Sequence, residues 1–135
     1  TDGHHIGMER VDREPVQILP PKGGSTFRFF QVAPQQTVPH GDAEQAFASA
    51  FAKIGGSDVR VDTARHPGMH KTPTLDYVVL LKGEVTLLLE VGEVELKPFD
   101  VVVQRATNHA WVNKGTEPAL LVAVLVDCAD SLAGA

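Results

Sequence analysis

The 135 residues include a single cysteine, Cys128, so no intrachain disulfide is possible. It follows a long apolar run near the C-terminus, where a plain buried or half-buried thiol is expected rather than a nucleophile. No stretch approaches the roughly 18 consecutive apolar residues that mark a membrane-spanning helix. Cations are scarce as well: twelve Lys and Arg against seventeen Asp and Glu leave a formal charge of −5. Without a basic stripe, neither duplex nucleic acid nor a membrane surface is an expected partner. No secretory leader is legible in a chain that begins at Thr1, and the cytoplasm is the default expectation. Duplicated halves are also missing, which leaves one barrel or sandwich rather than a repeat array.

What the chain has is turn residues. Nine Pro and twelve Gly divide it into short segments, which suits a fold of brief strands. A hydrophobic share of 43% with 21% charge belongs to an ordinary soluble globular domain. The length fits one domain of about 100–150 residues. Residues 1–22 are polar and broken by Pro15, Pro20 and Pro21, so an N-terminal arm is expected over 1–26, followed by a single barrel over 27–135. His4, His5 and His40 lie in loop-like surroundings and read as solvated side chains.

The aromatic run Phe27-Arg28-Phe29-Phe30-Gln31-Val32 predicts a first strand that stops before Pro34. One helix is expected at about 42–55. Ala46, Phe47, Ala50, Phe51 and Ile54 recur at helical spacing, Asp42 with Gln45 forms an approximate capping box, and Gly55-Gly56 ends the segment. Its apolar stripe is expected to pack on the outside of the barrel, with a lid over the pocket mouth or a dimer contact as the alternatives. Beyond it the pattern turns to strands at 59–62, 76–81, 84–90, 94–96, 101–103, 111–113 and 119–126.

Two stretches carry chemistry. The first is His70-Lys71-Thr72-Pro73-Thr74-Leu75-Asp76, with Gly83 seven residues after Asp76; the second is Gln104 to Asn113, with His109 four residues before Asn113. Over roughly residues 59–126 the chain resembles the cupin superfamily. His70 matches the first His of that family's first motif, Asp76 its Glu, and Gly83 its turn glycine. Thr72 stands where a second His is usual. In the second motif His109 and Asn113 match, Gln104 and Ala106 replace the usual Pro and Gly, and Phe99 stands where a Gly often precedes Asp100. The resemblance implies an all-β antiparallel barrel of the double-stranded β-helix or jelly-roll type with one amphipathic helix, and a homodimer.

Strand parity agrees with the resemblance. Asp76, Val78 and Leu80 share one face, and His109, Trp111 and Asn113 share another. If both face inward, His70, Asp76 and His109 form a candidate metal set. Two His and one carboxylate are the composition of an open facial triad, which suits Fe and also Zn, Mn or Ni. The other reading is a hydrogen-bonded His70–Asp76 pair in a polar pocket without metal. His66, across a Pro67-Gly68 turn, is a possible substitute for the missing ligand. Thr72, Gln104 and Trp111 are the candidate contacts to a small organic molecule, and Tyr77 is expected to point away. Two functions follow: a metal-dependent oxygenase, isomerase or decarboxylase/lyase on a small substrate, or a non-catalytic binding or sensing barrel.

Overall fold

The computed structural model describes residues 16–37 and 42–132; His4, His5, His40 and most of the expected arm lie outside them. Seven strands follow in order: β1 (Ser25–Val32), β2 (Thr74–Lys82), β3 (Val85–Leu89), β4 (Glu93–Leu96), β5 (Val101–Arg105), β6 (His109–Val112) and β7 (Ala119–Asp127). A helix α1 (Ala43–Lys53) lies between β1 and β2, and a short helix α2 (Ala129–Leu132) follows β7. The strands form a four-stranded sheet, order β1-β7-β2-β5, and a three-stranded sheet, order β4-β3-β6, with antiparallel pairing throughout. The expected all-β antiparallel barrel with one main helix is the fold observed.

The alternation in β7 shows why. Ala119, Leu121, Ala123 and Leu125 are buried, and the residues between them are half-buried. In β2 the same parity buries Thr74, Asp76, Val78 and Leu80. Register aligns these sets into inward rows across the sheet: Phe30, Leu121 and Leu80; then Arg28, Ala123, Val78 and Val102; then Thr26, Leu125, Asp76 and Gln104. The apolar members of these rows meet Val85, Leu87 and Leu96 of the second sheet in the main core. A second small cluster, Met69 with Ala110 and Val112, backs the other side of β6. The opposite parity of the large sheet leaves an apolar outer face, with Phe27 67%, Phe29 62%, Val101 63% and Val103 53% exposed. Tyr77 lies on that outer face, as expected.

Three sequence expectations need correction. Residues 59–62 alternate but form no strand. A 3-10 turn, Ser57–Val59, buries Val59, and the following chain runs irregularly while the Arg60 guanidinium bonds Glu44 and the Pro67 carbonyl. Asp42 does occupy the N-cap of α1, but its side chain caps nothing, and Gln45 bonds Ser49 instead of closing a capping box. The helix stop is as read: Gly55 has φ +68°, and the Gly56 N–H returns to the Phe51 carbonyl at 2.7 Å. The third correction concerns placement. No residue of α1 is buried, and Ala43, Phe47, Ala50 and Phe51 face a cavity rather than the barrel exterior. Ile18 of the arm, 3% exposed, ties its N–H to the Ile54 carbonyl and secures the helix end.

Candidate active site

The cavity, about 1040 Å³, opens between α1 and the polar end of the barrel and is lined mostly by apolar side chains. The second sheet supplies His109 and Trp111. Register with β3 sets His109 opposite Leu89 and Trp111 opposite Leu87, so the two project together, with rings 5.6 Å apart and edge to face. His70 arrives from the loop before β2. Its N–H donates to the His109 carbonyl at 2.8 Å, and the His109 N–H donates back at 2.9 Å. That reciprocal bridge aims both side chains to one side, and the imidazole centroids lie 4.3 Å apart. Phe51 of α1 covers the pair, 4.9 Å from the His70 ring.

Each imidazole is held by its own loop. Nδ1 of His70 lies 2.9 Å from the Gly68 carbonyl, and Nδ1 of His109 lies 2.8 Å from the Thr107 carbonyl. A carbonyl only accepts, so Nδ1 is assigned the proton in both rings, and Nε2 is left as the basic nitrogen. Among the described residues no hydrogen bond engages either Nε2. Burial disfavours the charged form of both. It lowers the His70 pKa to about 3, reinforced by His109, while the Gly68 carbonyl opposes it. His109 is lowered by burial as well, against the Thr107 carbonyl. Two neutral imidazoles therefore stand together at neutral pH.

Asp76 lines the same cavity from the other sheet. Thr74 donates to its Oδ1 at 2.5 Å, and Thr72 meets the Thr74 hydroxyl at 2.7 Å. Because the Thr74 proton goes to Asp76, the Thr72 proton goes to Thr74, and the three side chains form a relay leading into β2. Burial raises the Asp76 pKa, partly offset by the Thr74 bond and the field of Arg28.

Solved structures share this architecture over most of the chain. An RmlC-like cupin with a double-stranded β-helix fold from Methanocaldococcus jannaschii covers 94% of this chain and 98% of its own, with a TM-score of 0.55 at 14% identity. A cupin superfamily protein from Desulfitobacterium hafniense covers 81% of this chain and 72% of its own, TM-score 0.50, also at 14% identity. The chain has the cupin fold. No family model matches it. Among curated proteins, phomopsin biosynthesis cluster protein D of Diaporthe leptostromiformis is 48% identical over 64 residues, 44% of this chain and 34% of that protein. A cupin-domain-containing oxidoreductase of Aspergillus ruber is 41% identical over 66 residues, 46% of this chain and 32% of that protein. The matched stretch thus spans about a third of the length of these relatives.

The departures from the cupin motifs have visible consequences. Among the described residues, Phe99 (φ 71°) and Ala106 (φ 52°) are the non-glycine residues with positive φ. They occupy the two positions where the motif has glycine, so the left-handed backbone persists although the residue that favours it is gone. The metal set fares differently. Among the described residues, no three His, Cys, Asp or Glu side chains gather closely enough to hold an ion. The structure brings His70 and His109 together but not Asp76, whose shorter-than-Glu side chain stays on β2 under the threonine relay. His66 does not complete the set either. It stands in the cavity wall 5.5 Å from the Phe47 ring, its Nδ1 accepting from the Gly68 N–H. The residues present do not fit a three-donor metal centre.

Of the expected small-molecule contacts, Trp111 and Thr72 line the cavity. Gln104 does not. It is buried beside Asp76, with its Oε1 taken by the Thr107 hydroxyl and its Nε2 unpartnered. Asn113 clasps rather than binds: its Nδ2 donates to the Val32 and Glu117 carbonyls and ties β1 to the turn after β6. Three cavity residues escaped the sequence reading: Arg28, Phe47 and Phe51 in their actual roles. Arg28 left a signal, a single cation inside an aromatic strand at the parity of Phe30 and Val32.

Proposed function

We propose that the cavity is the active site of a cupin enzyme that moves a proton within a small organic substrate, with His109 as the proton carrier and His70 packed beside it. The observation that supports this reading most directly is the pair of imidazoles in ring contact, each held through Nδ1 with an Nε2 that no protein group engages among the described residues. Nε2 of His109 takes a proton from an acidic C–H or O–H of the substrate, becomes imidazolium, and returns the proton to another substrate atom, while His70, the weaker base, stays neutral. Such an isomerisation or elimination balances without an oxidant. The largely apolar wall, with Phe47 and Phe51 of α1 on it, lowers the polarity around the transfer and strengthens its electrostatics. Thr72, Trp111 and the aromatic residues of α1 hold the substrate. Fe, Zn, Mn or Ni, which the cupin resemblance implied, enters no step of this reading, because the three donors are not gathered.

The test is hydrogen–deuterium exchange into a panel of small cyclic ketones and hydroxy or oxo acids in D₂O, read by proton NMR. Exchange by the parent and its loss by about 10²–10⁴-fold in His109→Gln is expected. Elemental analysis of untagged protein prepared without chelator accompanies it. Stoichiometric transition metal whose removal ends turnover overturns the proton-transfer reading in favour of a metal enzyme. Binding without exchange leaves the non-catalytic barrel.

A second reading has support from the partial relatives named as oxidoreductases, and oxygen consumption in the same assays distinguishes it. We further propose a cytoplasmic homodimer. The outer face around Phe27, Tyr77 and Val103 is the surface a second copy would cover. Light scattering of Tyr77→Glu beside the parent tests this, with a dimer becoming a monomer as the expected result. A parent that stays monomeric at high concentration refutes it.

A further inference from the structure

We propose that Arg28 receives the carboxylate of the substrate, so that the enzyme acts on a small, largely apolar carboxylic acid. This rests on reading the cavity as a small-molecule site and adds the chemical class of its occupant. Arg28 sits on β1 at the inward parity, between Thr26 and Phe30. Across the sheet its row continues through Ala123 and Val78, and all three line the cavity. The methyl of Ala123, opposite Arg28, is the smallest side chain in that row.

The guanidinium is poorly satisfied where it stands. It carries five N–H donors in a fixed fork. Among the described residues its one hydrogen bond runs from Nη1 to the Gln17 carbonyl at a long 3.4 Å, and Nε is buried with no partner. The described ion pairs are Arg60–Glu44 and Lys114–Glu93; Arg28 is in neither, and Asp76 lies beyond salt-bridge distance. A half-buried cation with open donors in an apolar wall is costly unless something pairs with it. A carboxylate meets two of those donors side by side, the geometry for which Arg is suited. A phosphate fits less well, because its charge of roughly −1.5 to −2 exceeds what one cation beside Asp76 balances. The apolar remainder of the lining, Phe30, Phe51 and Trp111 among it, sets the character of the rest of the molecule.

The chain contains one tryptophan, Trp111, and it lines the cavity, so its fluorescence reports occupancy. Cyclohexanecarboxylate, cyclohexylmethanol and cyclohexyl phosphate do not absorb at its excitation and serve as probes. The parent is expected to bind the carboxylate more tightly than the alcohol or the phosphate. Arg28→Gln should weaken the carboxylate about 10- to 100-fold, the loss of a charge-assisted pair, and leave the alcohol within about twofold. Arg28→Lys keeps the charge without the fork and should fall several-fold short of the parent, which preserves the test if the Gln variant does not fold. Equal carboxylate affinity in parent and both variants overturns the proposal. So does an alcohol or phosphate that binds the parent as tightly as the carboxylate, or no response to any probe. Failure of the anchor alone leaves alcohol binding and the His109-dependent exchange intact, which separates it from failure of the underlying reading.

Discussion

The two faces of the β1-β7-β2-β5 sheet reverse the usual division between inside and outside. The outer face carries Phe27, Phe29, Val101, Val103 and Tyr77, all substantially exposed. The inner face holds Phe30, Leu121 and Leu80 at one end and Arg28, Asp76 and Gln104 toward the other. Hydrophobicity therefore does not say which face is the interior. One end of the inner face is a packed core, where apolar burial stabilises the fold. The other end faces the cavity and carries side chains that are costly to bury, and it is there that His109 of the second sheet meets His70 from the loop before β2. A polar patch inside and an apolar face outside are the two features on which the proposed ligand site and the proposed dimer rest.

The largest effect should come from the packed end. Leu121 is fully buried, so Leu121→Ala is expected to cost about 2–5 kcal/mol in denaturant unfolding. A cost below 1 kcal/mol would mean the core is not where this comparison places it.

The polar end should reveal itself through pH. The His70 pKa falls from 6.5 in the unfolded chain to about 3 in the folded one, and His109 is lowered as well. Between those values the unfolded state binds more protons. Stability is then full above pH 6.5 and is lost progressively as pH falls toward 3, by a few kcal/mol. Asp76, raised by burial, works in the opposite sense above its unfolded value of 3.8 and blunts the slope. Unfolding midpoints at pH 7, 5.5 and 4.5 should decline for the parent and decline less for His70→Gln. A flat parent profile would break the claim that the imidazoles are buried and neutral.

Smaller effects belong to the turns at the sheet edges. Phe99→Gly and Ala106→Gly should each stabilise by about 1 kcal/mol, because both residues hold a left-handed backbone that glycine adopts without the Cβ penalty. Gly83→Ala should do the reverse, since at φ +88° its Cβ would meet Ala119 Cα at 3.1 Å. Thermal unfolding of the three variants decides; a loss in Ala106→Gly would show that the turn is not strained. The smallest effect is expected on the outer face. Val103→Thr should shift the stability of an isolated chain by no more than about 0.5 kcal/mol, and a larger, concentration-dependent shift would sharpen the case that a second copy covers that face.

Much of the scaffold was legible from local patterns. Short apolar runs between Gly and Pro located β2, β5 and β7, the Phe stripe located α1, and the glycines at 55, 56 and 83 marked where elements stop, because each of these is set by the chain's own backbone and nearest neighbours. The pairing of His109 with Trp111 followed from parity alone. The alternation at 59–62 misled because four residues are too few to outweigh the bonds that Arg60 makes with Glu44 and Pro67. The expected metal set was legible only in part: its three residues line one cavity, but two of them stand together. Spacing along two motifs says that His70, Asp76 and His109 can approach one cavity, but not whether a shorter carboxylate held by Thr74 reaches the imidazoles.

The sequence by itself determined the strand parities, the helix, the turns and the identity of the two histidines, all of which depend on covalent neighbours and short-range periodicity. Only the tertiary structure decided that α1 covers a cavity instead of the barrel wall, that Asp76 stays apart from His70 and His109, and that Arg28 faces inward beside them. Those outcomes depend on which sheets face each other and how far each side chain reaches across the gap, and the register between strands distant in the chain sets both.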